Sequence, residues 1–203
     1  DGEVVDCHVK NTGRGRELFI PGVKVILQES DNPNRKTRYD LIEVYKNGQL
    51  INVDSQVTNT VVEKWVKTSS YFQNLKLVKR EVTYGKSRFD LYVEYGEDKK
   101  AFIEVKGVTL EENGVARFPD APTLRGVKHV EELITCMQDG YEAYLFFVVQ
   151  MKHITHVEPN WKTHPEFGNA LQRAADAGVH LLAYDCLITE DSIQADQPLQ
   201  IIV

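Results

Sequence analysis

Hydrophobic and polar positions change rhythm near residue 58. Before it the apolar residues come in short alternating runs broken by turn chemistry. Val4 to Val9 alternates and ends at Asn11-Thr12-Gly13. Leu18-Phe19-Ile20 leads into Pro21-Gly22, and Val23, Val25 and Leu27 mark one face of a strand over residues 23–28. Two further runs, 39–45 and 49–53, flank Asn47-Gly48. An Asn-Gly pair between alternating runs is a strong two-residue hairpin signal, because both positions of the loop need positive φ. Four or five short strands at this spacing predict a small β-barrel over residues 1–58, of the OB type that often touches nucleic acid.

From residue 59 to 203 the pattern alternates helix with strand. Asn59 is placed to cap a helix over residues 60–67 with Val61, Val62, Trp65 and Val66 apolar. Strand-like runs follow over residues 75–84, 88–95 and 101–110. Thr123 or Asp120 caps a second helix ending near Asp139-Gly140, its apolar face read as Val127, Val130, Ile134 and Met137. The run Ala143 to Val149 is wholly apolar and fits a buried strand. Pro165 opens a third helix with Phe167, Ala170, Leu171 and Ala174 inward, Gly178 closes it, and a last strand covers residues 179–188. The order α-β-β-β-α-β, then α-β, predicts an α/β (α+β overall) mixed sheet flanked by helices, with parallel crossovers.

Composition changes this picture little. The 203 residues are 42% hydrophobic and 27% charged, enough for a packed core, and no internal repeat is visible. No stretch reaches the ~18 apolar residues of a membrane span. Cys7, Cys136 and Cys186 are far apart and form no Cys-x-x-Cys pair. They read as reduced thiols, which points to the cytoplasm. The chain begins Asp1-Gly2 rather than with methionine; residues before Asp1 are expected to be missing, and the expected barrel allows for a lost first strand.

A net charge of −6 argues against coating nucleic acid by bulk charge. Local basic groups remain: Arg14 and Arg16; Arg35, Lys36 and Arg38; Lys79 and Arg80; Lys86 and Arg88. Lys128, with Arg125 three residues before it, adds a second-helix stripe that could hold a phosphate. The candidate DNA contacts are Arg14, Arg16, Arg35, Lys36, Arg38 and Lys128.

The chemistry sits in the second and third strands of the α/β region. A hairpin centred on Gly96-Glu97-Asp98 sets Glu94 opposite Lys100 and Asp90 opposite Glu104. Facing residues have Cβ atoms roughly 5 Å apart, so the two carboxylates repel unless a cation joins them. Glu104 and Lys106 point to one face with Tyr92 and Phe102; Phe89, Leu91, Ile103 and Val105 point to the other. An ammonium beside the carboxylates can orient an attacking water or offset charge on a scissile phosphate. His8 and His129 read as structural, and His153 with His156 lacks a third zinc ligand. No Gly-rich phosphate loop or dinucleotide fingerprint supports an enzyme of sugar metabolism.

Asp90, thirteen residues, then Glu104-Val105-Lys106 resembles the PD-(D/E)XK nuclease signature, with Phe89 where its leading proline would stand. That resemblance implies Asp90 and Glu104 as ligands of Mg²⁺ or Mn²⁺, with Glu63 on the first helix a further candidate, and Asp90, Glu104 and Lys106 as the catalytic set. The whole chain also resembles the sugar fermentation stimulation protein family. The resemblance is carried by His8-Val9-Lys10-Asn11-Thr12-Gly13, Arg35-Lys36-Thr37-Arg38-Tyr39-Asp40, Ser87-Arg88-Phe89-Asp90, Glu104-Val105-Lys106-Gly107-Val108-Thr109, Phe118-Pro119-Asp120-Ala121-Pro122-Thr123 and Gly126-Val127-Lys128-His129. It implies a bacterial or archaeal cytosolic DNA-binding protein with an OB-like domain before a nuclease-like one. Two functions stay open: a metal-dependent DNA nuclease, and a non-catalytic DNA-binding regulator on a nuclease-like scaffold. The oligomeric state, a homo-oligomer included, is open as well.

Overall fold

Asn47 and Gly48 take φ of 52° and 81°, the positive pair that the tight hairpin demands. In the computed structural model, which describes residues 2–11 and 13–203, this turn anchors the first sheet. Its strands are β1 (Cys7–Val9), β2 (Val25–Glu29), β3 (Tyr39–Lys46) and β4 (Gln49–Asn52). β3 lies at the centre, parallel to β1 and antiparallel to β2 and β4. Val23, Val25 and Leu27 pack on the core as their spacing predicts. Leu18 and Phe19 instead close a turn on the Gly15 carbonyl, with Leu18 buried. The expected turn at Asn11-Thr12-Gly13 includes Thr12, which with Asp1 lies outside the described residues.

Next come α1 (Val57–Thr68), β5 (Leu77–Tyr84), β6 (Ser87–Tyr95), β7 (Lys99–Val108), β8 (Leu110–Glu112), β9 (Val115–Phe118), α2 (Leu124–Gln138) and β10 (Glu142–Val149). The chain ends with β11 (His156–Pro159), α3 (Pro165–Asp176), β12 (His180–Thr189), β13 (Ser192–Pro198) and β14 (Gln200–Ile201). The main sheet runs β13-β12-β10-β7-β6-β5, and a smaller one runs β14-β11-β9-β8. β7, β10 and β12 are parallel and are joined through α2 and α3, as the strand-helix-strand pattern requires. None of the helices among the described residues is long and apolar enough to cross a membrane.

One face of the main sheet buries Val61, Val62 and Val66 of α1 against Leu91, Ile103, Val105 and Phe146. The other buries Val130, Leu133 and Cys136 of α2, and Phe167, Ala170 and Leu171 of α3, against Phe102, Leu145 and Phe147. Leu41, Val44, Ile51 and Val53 of the first sheet belong to this same cluster, so the two parts share one core. Gln150 ties them together: its amide donates to Asn52 Oδ1 at 2.9 Å and to the Asp54 carbonyl at 3.0 Å, while its carbonyl accepts from Asn52 N.

Three local expectations are corrected. α1 begins at Val57, two residues before Asn59, because Asp54 Oδ1 accepts from Gln56 N and Thr58 Oγ1 donates to the Ser55 carbonyl, fixing the turn that starts the helix. The deepest line of α2 is His129, Val130, Leu133 and Cys136; Val127, Ile134 and Met137 flank it half-buried, since the helix meets both the sheet and α3. Phe89 packs with Phe102, ring centroids 5.2 Å apart, rather than with Leu91 across the sheet.

Glu43 on β3 is buried, and its Oε2 has no hydrogen-bond partner among the described residues. Burial, reinforced by the charges of Glu190 and Asp191, pushes its carboxyl up to about 7. Such a group binds its proton more tightly folded than unfolded. Its contribution to stability is therefore complete at low pH and is lost as pH rises from the ordinary glutamate range through about 7. Glu43→Gln is expected to flatten this slope. At pH 8 it should be more stable than the parent by on the order of 3 kcal/mol, read from paired urea melts at pH 4.5 and 8.

Candidate functional site

The β6–β7 ladder pairs Glu94 with Lys100, as the hairpin register predicts, and continues to Leu91 opposite Ile103. It stops one pair before Asp90 and Glu104. Asp90 supplies the next bond with its side chain: Oδ2 accepts from Val105 N at 2.8 Å. Its Oδ1 accepts from the Asn59 amide on α1, also at 2.8 Å. The residue expected to cap α1 thus holds the first carboxylate instead.

Glu104 stands on the α2 side of β7 and is 2% exposed. Its Oε1 accepts from Lys106 Nζ at 2.6 Å and is also bonded to His129 of α2. Its Oε2 is buried and has no partner among the described residues. Arg125 Nε reaches the far ring nitrogen of His129 at 3.4 Å. Asp90, Glu104 and Lys106 line one recess of about 380 Å³, with Asn59, Arg125 and His129.

The two carboxyls are driven apart. Burial and then the charge of Glu104 raise Asp90 above the usual range, against the Val105 amide and Asn59. Burial acts on Glu104 too, but the Lys106 ammonium and the His129 hydrogen bond outweigh it and hold Glu104 below the usual range. A cation beside both would relieve the repulsion and satisfy Oε2. The donor set fits a hard divalent ion, which takes one or two carboxylates and completes its shell with water or phosphate oxygen. Among the described residues no three His, Cys, Asp or Glu side chains gather as a ligand cage.

Other candidates from the sequence fall elsewhere. Glu63 lies one helical turn beyond Asn59 and pairs with Lys67 and Arg80, away from the recess. Arg35 is spent in a two-pronged pair with buried Asp40, and Arg38 bonds Glu29 at 2.8 Å. Arg14, Arg16 and Lys36 are exposed. The Arg14 amide bonds Asp120, a residue of the recess wall, at 2.7 Å. Lys128 is exposed on α2, its Nζ bonded to the Lys86 carbonyl at 2.9 Å. Asn59, Arg125, His129 and Gln150 enter the recess without having been assigned to it from the sequence. His129 follows Lys128 directly, but helical spacing alone did not show that it points at Glu104.

A four-stranded amino-terminal sheet leading into a mixed α/β domain is the class that this fold defines. Residues 56–192 match the sugar fermentation stimulation protein RE domain, and residues 1–53 match the SfsA N-terminal OB domain. A sugar fermentation stimulation protein homolog of Clostridium beijerinckii is 53% identical over 203 residues, covering 100% of this chain and 89% of the relative. One from Desulfitobacterium hafniense is 58% identical over 195 residues, covering 96% of this chain and 85% of its own. The solved structure of Pyrococcus furiosus SfsA in complex with Ca²⁺ superposes with a TM-score of 0.91 at 27% identity, over 100% of this chain and 87% of that one. The chain belongs to the sugar fermentation stimulation protein family.

The floor of the recess is tightly fitted. A Cβ on Gly107 would stand 2.6 Å from Gln150 Oε1 and 3.0 Å from Thr58 Cγ2. Gly107→Ala must therefore displace the amide that joins the two sheets, or α1. It is expected to cost roughly 1–3 kcal/mol, seen as a lowered urea midpoint.

Proposed function

We propose that this protein is a DNA-binding nuclease that hydrolyses phosphodiester bonds with Mg²⁺ or Mn²⁺ held by Asp90 and Glu104. The observation that carries the reading is the buried Oε2 of Glu104, without a hydrogen-bond partner among the described residues, in one recess with Asp90 and Lys106. The Ca²⁺ in the Pyrococcus furiosus relative supports it, since that ion also prefers oxygen ligands. In this reading residues 1–58 form the barrel and residues 59–203 the catalytic unit. Exposed Arg14, Arg16, Lys36 and Lys128 are the proposed phosphate contacts; Arg35 and Arg38 are already paired.

When bound, the ion supplies Lewis acidity to the attacking water and the phosphate. The chain does the positioning. Asn59 and the Val105 amide fix Asp90 in one orientation, and His129 fixes Glu104. Lys106 brings an ammonium to the place where negative charge grows on the phosphate, a low-water setting in which such a charge acts strongly. A second reading has one observation in its favour: Lys106 and His129 already compensate Glu104, as they would in a non-catalytic DNA-binding regulator.

Plasmid, linear and single-stranded DNA incubated with Mg²⁺ or Mn²⁺ separate the two. The parent is expected to cleave, and Glu104→Ala to lose at least about a hundredfold in rate. Lys106→Met should keep Mn²⁺ and DNA binding while losing most turnover. Calorimetric titration should show weaker Mn²⁺ binding by Asp90→Asn. A parent that cleaves no DNA with any divalent ion would overturn the nuclease reading in favour of the regulator.

A further inference from the structure

A second groove adjoins the recess and shares Arg88, Arg125 and His129 with it. Its remaining walls are Lys86, Ser87, Leu124 and Lys128, so four cationic side chains face it and no carboxylate does. In a chain with a net charge of −6 such a surface is unusual. The cations are weakly engaged. Arg88 meets Glu81 at 3.3 Å with both side chains more than half exposed, and Lys128 meets Glu132 only at 3.7 Å, its 2.9 Å bond to the Lys86 carbonyl leaving its charge unneutralised. Exposed pairs of this kind bind little. Among the described residues Arg125 bonds His129 and neither Arg125 nor Lys86 has a carboxylate partner.

Two further observations point to an anion. α2 starts at this groove, and its first turn carries no acidic residue. Thr123 Oγ1 caps only Gly126 N, at 2.9 Å, so the positive end of the helix is left largely uncompensated. Ser87, at the junction of the turn and β6, is 4% exposed, and its Oγ has no partner among the described residues. A buried hydroxyl without a partner costs stability; here it lies among four cations, where an anion's oxygen would complete it. Leu124 stands at the rim, 81% exposed. One exposed leucine is ordinary, but apolar side chains beside phosphate-binding cations lie against bases in nucleic-acid complexes.

We infer that this groove docks a phosphate of a nucleic-acid strand adjacent to the phosphate in the recess, with Leu124 lying against the neighbouring base. The inference rests on the proposed hydrolysis only for what the recess does; the docking itself needs no turnover. It moves the main phosphate contact from the amino-terminal basic run, where buried Asp40 occupies Arg35, to the start of α2.

The test uses the Glu104→Ala protein in chelator, so that cleavage plays no part, and fluorescence anisotropy of a labelled single-stranded 12-mer. Lys86→Glu with Lys128→Glu is expected to weaken binding at least about tenfold and to lower the salt slope by about 0.7, the share of one phosphate contact on a single strand. Both residues are exposed, so the melting temperature should not change. Arg14→Glu with Arg16→Glu should have the smaller effect. Leu124→Ala is expected to weaken binding of an oligothymidine but not of an abasic strand of the same length. Unchanged affinity in the Lys86 and Lys128 variant would overturn the groove, even if the parent cleaves DNA. The expected loss in that variant would sustain the groove, even if the parent cleaves nothing. Inorganic phosphate that competes as well as the 12-mer would overturn the strand as occupant and leave a small-anion site.

Discussion

Two carboxyls in one poorly hydrated recess cannot both carry charge at no cost, and the structure around them is arranged by that constraint. Asp90 is steadied by an amide from α1 and a backbone N–H from β7, neither of which brings a full charge. Glu104 draws on an ammonium from its own strand and an imidazole from α2. One helix from each face of the main sheet, α1 and α2, is thereby tied to its centre. The second oxygen of Glu104 stays buried and without a hydrogen-bond partner among the described residues, which is the remnant of the conflict that these neighbours leave.

The parts of the fold that were legible in the sequence are those whose cause is local. Asn47-Gly48 needed only its two φ angles, and Glu94 opposite Lys100 only a turn midpoint. Thr123 caps α2 through a bond three residues away. Asp90, Glu104 and Lys106 could be grouped because a hairpin and a two-residue period place them on one face. Parity failed at Phe89, where the Asp90 side chain takes over a backbone bond and the chain beyond packs on the other cluster. β13 went unseen: Ser192-Ile193-Gln194-Ala195-Asp196 alternates but offers only Ile193 as a large apolar residue, and the strand is defined by pairing with β12.

Charge was the least legible feature. The basic run at Arg35, Lys36 and Arg38 looked like a nucleic-acid contact, but its partners lie five and nine residues away: Asp40 after Arg35, and Glu29 before Arg38. Asn59 was given to the helix cap because its distant partner, thirty-one residues on, cannot be inferred from helical spacing. His129 is the same case, since only the packing of α2 on β7 turns a helix position into a ligand of Glu104.

The junction at Gln150 bears on how such a protein can change over time. One amide bridges the first sheet and the end of β10, while leucine, isoleucine and valine side chains from the first sheet are counted in the core of the second part. An OB barrel is often a cassette, joined by a linker and readily exchanged between proteins. Here the seam is hydrogen-bonded and lined with apolar side chains. Denaturation should therefore proceed as one cooperative transition rather than in two stages. A graft of a foreign barrel would have to reproduce Asn52, the Asp54 carbonyl and the buried face of β3 before it reproduced any surface that meets nucleic acid.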